Sequence, residues 1–299
     1  MEVPRNRWTD GGWNDKLRQF LPLARWLLRG VKLDNPENPS ADDLQRLYQA
    51  VSPKVFAEAI PYILEATGKN QKTLLRNMAQ MWGQLGIGNP IPPRSLKEGR
   101  CDPSSLSGAV AIVVGGTVSW MRLRLDSTLR VQQAGAKFDK ILMIGSNRIC
   151  SSGADWRHPY IKGCFREGHE PTELEVLRQW VYGSGQVDSQ FVFPHVPNPN
   201  GGATFTLEEQ LRFLVNTKQW EKLVGGRKVF VATNGGNALY IPLHIRRVLG
   251  LDDIWFSQPA SNLVHPVPEY WWPDDQDLMT TPSGIIRLWI ELKANGCIE

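Results

Sequence analysis

Four uninterrupted apolar runs constrain this chain more than any other feature: Ala109–Val114, Lys140–Ile144, Gln190–Phe193 and Lys228–Ala232, with a shorter fifth at Ile254–Phe256. Runs without polar alternation belong to strands covered on both faces, the habit of a parallel sheet. Segments of helical character separate them at 124–134, 172–182, 207–223 and 238–249. Strand and helix alternate, which predicts an α/β fold: a doubly wound, mainly parallel, Rossmann-like three-layer sheet. Right-handed crossovers then bring every strand-to-helix loop to one edge. Ligands of such sheets bind outside the carboxyl ends of the strands.

The first 86 residues read differently. Between Trp13 and Arg29 the apolar residues Leu17, Phe20, Leu21, Ala24, Leu27 and Leu28 recur near the helical period. Leu17, Leu21, Ala24 and Leu28 should face inward on that helix. Ser40-Ala41-Asp42-Asp43 supplies an N-cap and acids for a second helix to Ala50, and Ser52-Pro53 opens a third to Ala66. A fourth spans 70–85, and no strand signal interrupts the series. Residues 87–107 are rich in Pro, Gly and Ser and read as a linker. The expected organisation is therefore a helical domain over 1–86, a linker over 87–107 and an α/β domain over 108–299.

Several classes drop out. No run approaches the ~20 apolar residues of a membrane helix, and the best candidate, Phe20–Leu28, contains Pro22 and Arg25. No signal-peptide layout surrounds it, so the expectation is a cytoplasmic protein with reduced thiols. The four cysteines form no CxxC pair and match no zinc spacing with the histidines, and no metal site is expected. The net charge is +4, its basic excess lying within residues 1–100. A solvated helical face explains that as well as an anionic partner does, and nucleic acid is not the expected partner. No GxxxxGK[ST], GxSxG or HExxH occurs, and the Gly115-Gly116 pair does not extend to GxGxxG. Trp is abundant at 12 residues, several clustered as in Tyr270-Trp271-Trp272. They suit core and lid packing, or a stacking platform for a planar ligand.

The chemistry concentrates in three loops, each immediately past an apolar run: Gly115-Gly116-Thr117, Gly145-Ser146-Asn147 and Thr233-Asn234-Gly235-Gly236-Asn237. Glycine admits close approach of backbone N–H groups to a ligand, and the helix that follows favours an anion. Glu173 and Glu175 open one helix, and Glu208 and Glu209 open another behind Thr206, a plausible N-cap. Such acids either complement the helix dipole or turn into the cleft. His195 and His244 have no evident partner in sequence and read as structural. The segment 151–171 is a long insertion of the kind that forms lids. Its Asp155, His158, Cys164, His169 and Glu170 match no ligand spacing.

The order of these elements resembles the bacterial SanA/ElyC/YdcF-like family over about residues 109–258. The residues that carry it are Ile112-Val113-Val114-Gly115-Gly116, the helix from Arg124-Leu125-Asp126 to Ala134-Gly135, the turn Gly145-Ser146, the Glu-led helix from Glu173, the run Ala203–Glu209 with Thr204, Thr206 and Glu208, and Thr233-Asn234. Asn237 and Leu239 stand near where the family has a His and an Arg. The resemblance implies a Rossmann-like sheet with a polar cleft at its carboxyl edge. It is closer to the soluble YdcF-like branch, which is associated with S-adenosylmethionine binding. The acidic Gly-rich signature of common methyltransferases is absent, so methyl transfer is not implied.

Together these observations lead to an expected binding protein for a small anionic, nucleotide-like or S-adenosylmethionine-like molecule. Gly115, Gly116, Gly145, Ser146, Thr233 and Asn234 would line one pocket, several of them offering donors to the anionic end. Glu173 and Glu208 would accept from ligand hydroxyl or amine groups, Arg124 would supply positive charge, and Thr204, Thr206 and Asn237 would complete the polar lining. One alternative is a transferase or hydrolase acting on such a ligand, with Glu173 or Glu208 as base. Another is a nucleic-acid or protein interaction module using the basic N-terminal helices.

Overall fold

The computed structural model describes residues 34–35, 39–50, 90–150, 164–166, 168–183, 190–196, 206–234, 240–259 and 275–295. The helices expected at 13–29, 52–66 and 70–85, with their inward residues Leu17, Leu21, Ala24 and Leu28, lie outside these residues, as do 151–163 of the insertion and Tyr270-Trp271-Trp272. In chain order the elements are α1 (Ala41–Ala50), β1 (Ile91–Ser95), β2 (Gly99–Arg100), a 3-10 turn at Pro103–Leu106, β3 (Val110–Val114), α2 (Val118–Gln133), β4 (Lys140–Ile144), α3 (Glu173–Gly183), β5 (Phe191–Val192), α4 (Leu207–Asn216), α5 (Gln219–Leu223), β6 (Val229–Ala232), α6 (Tyr240–Leu249), β7 (Trp255–Gln258) and α7 (Asp275–Ala294). Two compact units result. One comprises residues 1–91, 234–243 and 258–299; the other comprises 92–233 and 244–257.

In the sheet the strand order is β2-β1-β7-β6-β3-β4-β5. The pairs β3–β4, β3–β6, β4–β5 and β6–β7 are parallel, and β1–β2 is antiparallel, so the sheet is mixed but mostly parallel. The apolar runs explain the parallel part. Every residue of β3, β6 and β7 is buried, and only Lys140 of β4 is not. Phe230 of β6 is fully buried and stacks on Phe138, ring centroids 5.3 Å apart. Around them Ile141, Met143, Val113, Met121, Leu125 and Val176 complete one apolar cluster that joins α2 and α3 to the sheet.

Two features depart from the expected organisation. The stretch 87–107 is not a free linker, since it carries β1, β2 and the 3-10 turn. Prolines hid the strand: Pro92 and Pro93 cannot donate to a ladder, but their carbonyls can still accept. The Pro93 carbonyl takes the N–H of Cys101 at 3.0 Å, and Leu96 N–H donates to Ile254 O at 3.1 Å. The span 108–299 also divides. Residues 258–299, including α7, group with the N-terminal residues, and α7 packs on α1. In that helical unit α1 starts as its sequence implies. Ser40 Oγ accepts from Asp43 N–H at 3.1 Å, and the Asp43 carboxylate accepts from Ser40 N–H. Burial would raise the Asp43 carboxyl, but the Ser40 bonds and Arg46 outweigh it and hold it below its ordinary value.

Helix boundaries differ as well. α2 begins at Val118 rather than 124, so residues 115–117 make up the whole turn out of β3. The helix expected over 207–223 breaks at Thr217-Lys218, where Lys218 is left-handed at φ 56. A left-handed backbone costs a β-carbon-bearing residue about 1–2 kcal/mol. Lys218→Gly is therefore expected to stabilise the sheet unit by about 0.5–1 kcal/mol, glycine's extra unfolded-state entropy taking back part of the gain. Urea unfolding followed by circular dichroism measures this. A loss would mean that the Lys218 side chain contributes more than its backbone costs.

Candidate functional site

The carboxyl ends of β3, β4 and β6 lie side by side because these strands are parallel neighbours. Around the first two the sheet unit builds a tight polar network. Gly115 N–H donates to Ile144 O at 2.6 Å, which ties the β3 loop to the end of β4. Across this junction lies Glu173, the first residue of α3, only 5% exposed. Its Oε2 accepts from Ser146 N–H at 2.9 Å and from Ser146 Oγ at 2.8 Å. Its Oε1 accepts from Arg148 Nε at 2.7 Å. Arg148 also donates through Nη2 to Gly116 O at 2.7 Å, so one guanidinium bridges the carboxylate and the β3 loop.

Gly115 makes this approach possible. A β-carbon there would overlap Glu173 Oε2 and stand 3.1 Å from Glu173 Cδ and 3.2 Å from Gly145 Cα. Arg124, one turn and a half into α2 and 2% exposed, completes the network from below. Its Nη1 donates to Val114 O at 2.8 Å and to Gly115 O at 2.5 Å, and its guanidinium stands over the Trp120 ring. The Val114 carbonyl ends β3 and would otherwise be a buried acceptor, and one guanidinium nitrogen satisfies it together with the half-buried Gly115 carbonyl.

Six of the candidate residues thus come together: Gly115, Gly116, Arg124, Gly145, Ser146 and Glu173. Their donors and acceptors are largely directed at one another. The Ser146 N–H and hydroxyl point at the Glu173 carboxylate, an anion supplied by the chain itself. With three strong donors on its two oxygens, Glu173 has most of its accepting capacity engaged. Arg148 is the member that residue-by-residue inspection missed. Its signal was available: a buried carboxylate needs a cation, and Arg148 is the basic residue next to the Gly145-Ser146 turn.

Thr233 also stands at this edge, past β6. It is fully buried, its N–H donating to Ser257 O at 2.8 Å and its Oγ1 to the same oxygen at 3.1 Å. Asn234 follows it in the chain and is buried too. The α4 candidates play a different local part. Thr206 caps α4 in a reciprocal box with Glu209, accepting from Glu209 N–H at 3.3 Å while the Glu209 carboxylate takes Thr206 N–H and Oγ1 at 2.7 Å. Those bonds hold the Glu209 carboxyl below its ordinary value. Glu208 turns outward to Arg212 and towards the α6 residues His244 and Arg247, at 2.7, 3.9 and 3.7 Å. Thr204 and Asn237 lie outside the described residues.

Among the described residues no group of three or more His, Cys, Asp or Glu is arranged to hold a metal ion. Among them, too, no helix is long and apolar enough to cross a membrane. No family model matches the chain, no curated protein matches its sequence, and no solved structure matches its fold.

Proposed function

We propose that this chain is a small-ligand-binding protein of the SanA/ElyC/YdcF-like kind, cytoplasmic, with a Rossmann-like three-layer sheet. Its ligand is nucleotide-like or S-adenosylmethionine-like and lies at the carboxyl edge of the sheet, where β3 and β6 end side by side. One observation carries this: the strand order reverses there. From β3 the chain proceeds to β4 and β5 on one side, then returns to β6 and β7 on the other. At such a reversal the loops diverge to opposite faces and leave a crevice, the usual ligand position in open α/β sheets. Gly115-Gly116-Thr117 leads from one side of it into the N-terminus of the 16-residue α2, where the helix dipole favours an anionic group. Thr233 leads away from the other side.

In this proposal Glu173, Ser146, Arg148 and Arg124 do not wrap the ligand. They hold the β3 and β4 loops in one geometry before it arrives, which lowers the ordering cost of binding. Mass spectrometry of small molecules released from the purified, denatured protein tests the proposal, together with thermal unfolding in S-adenosylmethionine, ATP and adenosine. A released adenine-type or sulfonium compound is expected, or a saturable rise in melting temperature with one of the three. Neither release nor a shift at millimolar ligand would sink it.

A further inference from the structure

His244 of α6 is a buried titratable group, 5% exposed, whose two ring nitrogens meet groups of opposite charge. Nδ1 lies 3.3 Å from Arg247 Nη2, three residues further along the same helix. Nε2 lies 3.9 Å from Glu208 Oε2 on α4. Arg247 Nη2 stands 3.7 Å from that same oxygen, while Arg212 meets Oε1 at 2.7 Å. All four residues belong to the sheet unit. Arg246, the neighbouring basic residue of α6, donates instead to Asp252 O at 3.2 Å. The strands that α6 joins, β6 and β7, carry no ionisable side chain.

This geometry fixes the protonation state of the ring. A guanidinium carries donors only, so Nδ1 must be the acceptor. The imidazole is then neutral, with its proton on Nε2 and facing Glu208. A second proton can enter only at Nδ1, where it would confront the N–H of a permanent cation. His244 is enclosed and cannot turn away. Arg247 is 34% exposed and can carry its charge out to water. Its departure leaves Glu208 Oε2 to the ring that already faces it. Holding Arg247 inward would by itself need only a fixed acceptor, such as an amide oxygen. Imidazole adds the ability to turn that acceptor into a donor near physiological pH.

We infer that the α4–α6 contact is a pH-sensitive clasp in which protonated His244 replaces Arg247 at Glu208. In the neutral form the ring holds Arg247 inward by accepting from it. In the charged form the imidazolium pairs with Glu208, and the guanidinium is released to solvent. Arg212 stays on the other carboxylate oxygen in both forms. None of the residues used for the crevice at the sheet edge enters this inference, so the two stand or fall separately.

The experiment is nuclear magnetic resonance of the full chain, isotope-labelled at histidine and arginine, from about pH 8 to about pH 5. At the alkaline end the His244 ring is expected to be the Nε2–H tautomer. As the ring gains its second proton, the order parameter of the Arg247 Nε–H should fall below about 0.6, the level of a flexible group. His244→Asn keeps an acceptor near the Nδ1 position but does not titrate, and in it Arg247 should stay ordered throughout. Should that variant fail to fold by circular dichroism, the wild-type tautomer and the wild-type Arg247 profile decide alone. An Nδ1–H tautomer at the alkaline end would overturn the inference. So would an Arg247 order parameter that does not follow the ring, or one that falls equally in His244→Asn.

Discussion

Gly115→Ala is expected to destabilise the sheet unit by about 2–4 kcal/mol, far more than a glycine-to-alanine change costs at an ordinary turn. The added methyl group would occupy the space of Glu173 Oε2. To make room the carboxylate must withdraw from Ser146 N–H, Ser146 Oγ and Arg148 Nε. Those bonds involve a nearly buried charge, and leaving such donors without their acceptor costs about 1–3 kcal/mol. The cause is specific, so it can be isolated. Glu173→Ala alone should cost about 2–4 kcal/mol, softened because the Arg148 side chain is 29% exposed and can regain water. In the double variant the clash has no target. The two losses should then fall short of additivity by about 2 kcal/mol in a thermodynamic cycle read by urea unfolding. Full additivity would show that Gly115 is needed for some reason other than the carboxylate beside it.

Phe230→Ala should cost about 3–5 kcal/mol, the usual range for emptying a buried aromatic position. Phe230 is fully buried in β6, with Ala111 and Trp255 opposite it on the adjoining strands. The stacked Phe138 lies on the segment leading into β4, so two consecutive parts of the sheet unit lose a common partner. The neighbouring backbone is locked in parallel ladders on both sides and has little freedom to collapse into the cavity. Phe230→Leu, which keeps most of the volume, should cost no more than about 1.5 kcal/mol. Chemical unfolding followed by near-ultraviolet circular dichroism separates the cases. A loss below 1 kcal/mol for the alanine variant would mean that the core repacks around β6.

The parallel strands were legible because burial on both faces leaves a simple trace, a short run with no polar residue to interrupt it. Val110–Val114 and Val229–Ala232 are such runs, and the glycines behind them marked the turns. Ile91-Pro92-Pro93-Arg94-Ser95 carries the opposite trace: two prolines and a charge disguise a strand that pairs mainly through its carbonyls and its ends. The break at Lys218 left no trace, since lysine carries no preference for the left-handed region. Within the site, topology sufficed to bring Gly115, Gly145, Ser146 and Glu173 to one edge. It could not show how Glu173 would use its oxygens. That depends on Ser146, 27 residues earlier, and on which rotamer a helix-opening acid adopts. Arg148 escaped for the same reason, because its role exists only once the carboxylate has turned inward.

Among the described residues both outer strands of the sheet, β2 and β5, are two residues long. A newly made or partly unfolded chain recruits others mainly by extending an open ladder, and a ladder gains grip with each added rung. Here the margins offer almost none, while the long, strongly apolar strands stand in the middle, each already flanked on both sides. The order of assembly therefore matters for colloidal behaviour. Once β3, β4 and β6 have found each other, the segments most prone to stick are enclosed. Among the described residues, what remains at the rim is too short to template a fibre.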